Sequence, residues 1–417
     1  MTVTYEFEHP ASDIKGSINR YLEGKQIIVG LTGSVAAYRT VDLIRWFLRR
    51  SASVVPFATS EALRYVGPDL LEWASGVRPV SELGGQTEHI SIVKMSHALV
   101  MAPATLSSLS KLAYGIADNP VVLAALSALG YEKPIVVAPA LHSSLASIPQ
   151  YRDVVVKLNE QGVTIIPPRT EGSRLVMEDP AIIGRVTATL ACRGKDARGL
   201  RILVTGGATR EWVDSIRFLT NASSGKMALE IALEAWARGA NVDLVIGASS
   251  IKPPTFLNPL SVETTKEMAD VVARLTETKE YDAIISAAAP IDFEVEPKYE
   301  NVKLSSSSEV LIKLKPTIKV LNSIKQKPKV LVVFTAAPRE DLEGLSEAGL
   351  EKLSKYEADI VIANTAYKTV KGFGTEDLNV LMIWKDKTMR YLGYVHKEVL
   401  ARHVVDEVVK TVKRKTQ

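Results

Sequence analysis

Residues 201–227, RILVTGGATREWVDSIRFLTNASSGKM, constrain the fold more than any other stretch of the chain. The segment opens as a short apolar strand, Ile202-Leu203-Val204, and breaks at Thr205-Gly206-Gly207. It closes on Asn221-Ala222-Ser223-Ser224-Gly225-Lys226, the entry to a helix carrying Met227, Leu229, Ile231, Ala232 and Leu233. A strand that runs through glycines into a helix sets backbone N–H groups around an anion, usually a phosphate. Gly206 and Gly207 lack the Cβ atoms that would keep a ligand off the backbone. Ser223 and Ser224 suit the helix N-cap. Arg210, Arg217 and Lys226 add cations that a plain turn does not need.

The first half shows the same architecture without repeating the sequence. KQIIVGLTGSVAAYR at 25–39 is again strand, glycine turn and helix, and the helix is expected over 35–50. Strands over 53–57, 98–101 and 134–137 run into Ala58-Thr59-Ser60, Ala102-Pro103-Ala104-Thr105 and Ala138-Pro139-Ala140. Four strands that end in small or hydroxyl residues, separated by helices, predict a parallel doubly wound α/β sheet. Its ligand belongs at the carboxyl ends of the strands. A chain of 417 residues is long for one core, so two domains are expected. The polar stretch ACRGKDARG at 191–199 divides them into 1–190 and 191–417.

Composition narrows the function. With 51 basic and 47 acidic residues the net charge is +4, too balanced for a dedicated nucleic-acid binder and compatible with small anionic substrates. A single cysteine, Cys192, leaves no internal disulfide and no cysteine-cluster metal site, and fits a reducing compartment. No apolar run approaches the length of a membrane span, and MTVTYEFEHPASD is too polar for a signal peptide. The expected location is the cytoplasm, with no nucleic-acid or membrane partner.

The full string, TGG-A-TRE, then D-x-I-R, then T-N-x-SSGKM, resembles the phosphopantothenate–cysteine ligases. Upstream, GLTGS at 30–34 stands with H-I-x-x-V-K at 89–94, MAPAT at 101–105, KLAYGIADN at 111–119 and APA at 138–140. That constellation resembles the flavin-dependent phosphopantothenoylcysteine decarboxylases. The decarboxylase likeness spans 25–180 and the ligase likeness 200–400, the order of the bifunctional coenzyme A biosynthesis proteins. The resemblance implies a flavodoxin-like, flavin-dependent cysteine decarboxylase domain followed by a Rossmann-like ligase domain.

For the first domain the resemblance implies flavin mononucleotide (FMN) held by Gly33, Ser34, Val35, Ala36 and Thr59, with Thr105, Ser107 and Ser108 on the other side. His89 takes the position of the base acting on substrate, while His97 reads as structural. Ala140 and His142 hold substrate, His142 standing where the family carries asparagine. The flap that bears a proton-donating cysteine in bacterial members corresponds to PPRTEGSRL at 167–175, which has none. Cys192 falls in the linker, so the donor is unassigned.

For the second domain the resemblance places Asn221 at an acyl intermediate, its amide facing the developing oxyanion, and Arg217 and Lys226 on phosphates. The nucleotide, cytidine triphosphate (CTP) as co-substrate, is expected on Gly206 and Gly207, on Ala287, Ala288 and Asp292 of AAAPIDF, and on Lys303 of VKLSS. Pro316, Thr317, Ile318, Phe334, Lys352 and Tyr356 complete that set, Tyr356 replacing a second lysine of the family pattern. Asp292 is also the expected Mg2+ ligand. Asp359–Asn364, Phe373-Gly374 and Asp377-Leu378-Asn379-Val380 match the closing motifs. The small-molecule partners implied are 4'-phosphopantothenate, cysteine and CTP, with a homo-oligomeric assembly. One alternative makes the second half a short-chain oxidoreductase, on TGG and on Tyr367 with Lys371, although the later glycines of that turn are missing. Another makes the chain a flavoprotein that binds partners through an inactive decarboxylase half.

Overall fold

Ala98–Ala104 is buried along its whole length, as a strand must be when helices cover both faces of a parallel sheet. The computed structural model describes residues 9–85, 87–172, 174–296, 302–305, 307, 309–365 and 376–416. It divides into two units, Met1–Lys195 and Asp196–Gln417.

In the first unit β1 (Gln26–Leu31), β2 (Ser53–Ala58), β3 (Ala98–Ala104), β4 (Ile135–Pro139) and β5 (Thr164–Ile165) form one parallel sheet, ordered β2-β1-β3-β4-β5. The fifth strand is the one the sequence does not announce, because two residues are too few to show a period. Ile28, Phe57, Leu99, Met101 and Val137 pack on one face under Leu109, Leu112, Val121, Val122 and Val154. Thr40–Leu48 and Pro180–Arg193 pair on the other face, so the sheet is doubly wound as expected. The predicted helix over 35–50 is a 3-10 turn, Val35–Arg39, followed by an α-helix, Thr40–Leu48. Pro120–Gly130 starts cleanly because Asn119 accepts from the Val122 amide at 3.0 Å and proline takes a first-turn site whose N–H has no helical acceptor.

The linker expected over 191–199 starts later. Ala191, Cys192 and Arg193 are the last turn of the helix Pro180–Arg193, which ends only where Gly194 takes a left-handed φ of 61°.

The second unit holds an eight-stranded sheet. Its strands are β6 (Arg201–Gly206), β7 (Asn241–Ile246), β8 (Leu260–Ser261), β9 (Ala283–Ser286), β10 (Val330–Ala337), β11 (Ile360–Thr365), β12 (Asp377–Trp384) and β13 (Met389–His396), in the order β8-β7-β6-β9-β10-β11-β12-β13. The strands from β8 to β11 run parallel; β12 and β13 return antiparallel. Thr265–Thr278 and Leu342–Tyr356 cover one face through Met268, Val272, Leu345 and Leu353. Lys226–Ala237 and Lys397–Thr416 pack together, joined by Arg238, which donates to Asp196 at 2.7 Å and to Asp406 at 2.8 Å.

Candidate functional site

In the first unit the chain passes from β1 outward to β2, then back across to β3. The crevice between the carboxyl ends of β1 and β3 is therefore the switch point, the place where sheets of this order hold FMN. Thr32 laces its two sides together: the buried hydroxyl donates to the Pro103 carbonyl at 2.8 Å and accepts from the Thr105 amide at 3.0 Å. Around this rim stand the expected hydroxyls. Ser34 accepts from the Ala36 amide at 3.3 Å, Thr59 from Ala62 at 3.2 Å and Thr105 from Ser108 at 3.3 Å. Ser108 is buried and receives the Thr105 hydroxyl at 3.1 Å, while Ser107 and Val35 are exposed and Gly33 and Ala36 half-buried. Ala140 is tied to Ala104 by its amide at 3.0 Å. Hydroxyls and amides on two laced loops fit a sugar-phosphate chain.

His89 stands on the first turn of Glu88–Met95, the helix leading into β3. Its Nδ1 is buried with no hydrogen-bond partner among the described residues, and no hydrogen bond joins it to the rim. A buried polar atom left unpaired costs free energy, and the His89 Nδ1 shares that state with the Thr164 and Thr205 hydroxyls. His142 is exposed and turned onto its own turn, with Nδ1 2.9 Å from the Ser144 hydroxyl. The flap region is a two-stranded ribbon, Arg169–Glu171 with Arg174–Val176; its Ser173 lies outside the described residues. Cys192, on the helix Pro180–Arg193, is no part of that ribbon. Cys192→Ser is accordingly expected to leave CO2 release and ligation at wild-type rates. A large loss of CO2 release in a stopped assay would make this thiol the missing proton donor.

In the second unit the chain leaves β6 for β7 and returns to β9, so the switch point lies between β6 and β9. A cavity of about 440 Å³ opens there, a size suited to a small molecule. Asn221 and Ser223–Ala228 form one wall, the loop 286–292 the next, and the ends of β10 and β11 at Val333–Ala336 and Asn364 another. Of the expected nucleotide residues, Ala287, Ala288, Asp292, Ile318, Phe334, Lys352 and Tyr356 line it, as do Asn221 and Lys226.

Other expectations are corrected. Gly206 and Gly207 do not line the cavity. A Cβ on Gly206 would lie 2.2 Å from the Ala228 Cβ, so this glycine lets the helix Lys226–Ala237 close on β6. Gly207 has φ +74°, and its Cβ would meet the Ala248 carbonyl oxygen at 2.8 Å. Both serve close backbone packing. Gly206→Ala is expected to cost about 1–3 kcal/mol through overpacking, read as a lowered denaturation midpoint; an unchanged midpoint would show that the helix can shift.

The strand does not run through the glycines into the helix. A ribbon, Arg210–Trp212 with Phe218–Thr220, intervenes, and the N-cap is Gly225 at φ 77°, with Ser223 and Ser224 accepting from Gly225 and Lys226 amides at 3.4 Å. Arg210, Arg217 and Lys226 each meet a carboxylate. Arg210 pairs with Glu263, Arg217 with Asp214, and Lys226 with Glu376. Arg217 also donates to the Leu304 carbonyl at 3.2 Å and lies away from the cavity. Burial alone would raise the Asp214 carboxyl, but amides of Ile216, Arg217 and Leu304 outweigh it and hold the group below the usual carboxylate range. Asp214 thus ties down the segment that carries Lys303, which is exposed and off the cavity wall. Pro316 and Thr317 are off it too. Thr317 donates its amide to the Asp292 carbonyl at 3.0 Å.

Asn221 is not free to face an oxyanion through its amide. Its Nδ2 donates to the carbonyls of Ala289 and Pro290 at 3.1 and 3.0 Å, joining two cavity walls. Asp292 pairs with Lys319. No group of three His, Cys, Asp or Glu side chains converges among the described residues. The sequence reading missed Lys319 and Lys397, which line the cavity beside Lys226 and Lys352. Tyr367, Lys371 and Phe373-Gly374 lie outside the described residues.

Comparison with known proteins follows the same division. Residues 15–192 match the family described as "Flavoprotein". Residues 197–412 match "DNA/pantothenate metabolism flavoprotein C-terminal domain". The chain is similar to the "Coenzyme A biosynthesis bifunctional protein CoaBC" of Thermococcus kodakarensis, 36% identical over 410 residues, 96% of this chain and 99% of that protein. The protein of the same description from Methanocaldococcus jannaschii is 33% identical, over 98% of this chain and 99% of its own length. The one from Escherichia coli (strain K12) is 29% identical, over 93% and 97%.

Proposed function

The chain belongs to the family of coenzyme A biosynthesis bifunctional proteins, and on that premise we propose how its two halves divide the work. The second unit ligates cysteine to 4'-phosphopantothenate, and the first decarboxylates the product to 4'-phosphopantetheine. The observation that carries the ligase assignment is the β6/β9 cavity, lined by four lysines and one carboxylate among the described residues. Such a wall is built for polyanions, and both the triphosphate and phosphopantothenate are polyanionic.

In the ligation the pantothenate carboxylate attacks the α-phosphorus of CTP, releasing pyrophosphate. The cysteine amine then attacks the acyl carbon and releases CMP. Positioning and charge stabilisation carry both steps. Lys226, Lys319 and Lys352 face the phosphates, and Asn221 holds the walls in register. Mg2+ keeps most of its ligands from water and phosphate oxygens, and the cavity offers it one carboxylate, Asp292, already paired with Lys319. No step is assigned to the metal.

In the decarboxylation, bound FMN would supply two-electron oxidation of the cysteinyl thiol and the return of those electrons. Ser34, Thr59, Thr105 and Ser108 would hold its ribityl phosphate. His89 offers the unpaired Nδ1 to the substrate. The direct test incubates the purified full chain with CTP, 4'-phosphopantothenate and cysteine. Pyrophosphate is expected to depend on phosphopantothenate, and ligated product on cysteine. An ATP-only enzyme would correct the nucleotide, and no pyrophosphate with either would reject the ligase.

A further inference from the structure

Lys397 opens the C-terminal helix and reads as part of an ordinary basic terminal helix. The sheet register puts it elsewhere. β12 pairs antiparallel with β11 so that Val380 faces Asn364, and β13 returns so that His396 faces Asp377. The first residue after β13 is thereby delivered to the edge where β6, β9, β10 and β11 end, and Lys397 lines the cavity there. It is 4% exposed.

Each other lysine of the cavity has a carboxylate: Glu376 for Lys226, Asp292 for Lys319 and Glu351 for Lys352. The Lys397 ammonium has neither a hydrogen-bond nor an ion-pair partner among the described residues. Burial pushes it below the ordinary lysine range, against the pull of Glu376 and Glu230 and with the repulsion of Lys226. Glu376 is already paired with Lys226; a buried cation that must share its carboxylates is costly, and a helix N-terminus, itself positive, makes a lysine there costlier still. Both costs are relieved by an anion. The helix is anchored independently, through Asp406 on Arg238, so the lysine is not needed to hold it.

We propose that Lys397 is a substrate-binding residue of the ligase cavity, the counter-ion of a substrate phosphate that no motif of the chain assigns to it. The phosphate belongs either to the nucleoside triphosphate or to phosphopantothenate. The inference rests on the ligase reading of this cavity.

The test is calorimetric binding to the full chain, independent of turnover, with CTP, CMP, inorganic pyrophosphate, 4'-phosphopantothenate and pantothenate as probes. Lys397→Gln and Lys397→Met are expected to weaken at least one phosphate-bearing probe by about tenfold to a hundredfold, and Lys397→Arg to recover most of it. Loss with CTP and pyrophosphate but not CMP assigns the β- and γ-phosphates. Loss with phosphopantothenate but not pantothenate assigns the other substrate. Without ligand, the neutral variants are expected to unfold no lower than wild type. Wild-type affinity for every probe overturns the inference, as does an affinity loss that comes with a lowered unfolding midpoint in both neutral variants. Failure of the ligase reading shows separately, as a wild-type chain that binds these probes but forms no product.

Discussion

His89→Asn is expected to slow CO2 release from phosphopantothenoylcysteine by about 10²–10⁴-fold, the usual contribution of a positioned proton-transfer group, while the protein stays yellow. The reasoning is local. His89 lies on the first turn of the helix before β3, and its Nδ1 is buried without a partner in the described structure. Removing it breaks no hydrogen bond that the fold uses, so the unfolding midpoint is expected to hold. The flavin rim, at Ser34, Thr59 and Thr105, belongs to other loops and is untouched. The measurement pairs the flavin absorption of the purified variant with CO2 release. A variant that keeps its flavin and its rate would make His89 a structural residue and leave the decarboxylase without its base.

Asn221→Asp is expected to lower ligation by about ten- to a hundredfold, the scale of two lost hydrogen bonds, and to weaken CTP binding with it. The second half of that expectation comes from the structure. Nδ2 of Asn221 donates to the Ala289 and Pro290 carbonyls. Aspartate loses both donors and sets a carboxylate against two carbonyl oxygens, so the loop after β9 parts from the loop that leads into Lys226–Ala237. Alanine loses the bonds without the repulsion and should be the milder variant. An oxyanion donor behaves differently: either substitution would cost the rate and spare nucleotide affinity. Calorimetry with CTP beside pyrophosphate release separates the two, and an Asn221→Asp chain that ligates at the wild-type rate removes both roles.

The strands were legible because buried parallel strands are uninterrupted apolar runs that stop at small residues. β2 and β3 begin where the sequence reading puts them, at 53 and 98, and run one and three residues further than the expected 57 and 101. The switch-point crevices followed from strand order, which the likeness to known families supplied and periodicity did not. What failed was local chemistry. Gly206 and Gly207 read as ligand-facing because glycine is needed wherever backbone comes close, and sequence does not say whether ligand or helix is the neighbour. Arg217 read as a phosphate ligand because the carboxylate at Asp214 could not be seen to meet it. Lys397 was missed because its place depends on antiparallel register at the end of the sheet. The signal was present: equal strands about a turn at 385–388 put residue 397 beside Glu376.

One chain performs both steps in order, and one measurement tests this directly. The full chain is given cysteine labelled at its carboxyl carbon, 4'-phosphopantothenate and CTP, and labelled CO2 and pyrophosphate are followed together. CO2 is expected to lag pyrophosphate, then to accumulate in equal amount, and to disappear when either CTP or phosphopantothenate is left out. Pyrophosphate and ligated product without CO2, from a yellow and folded protein, would contradict it.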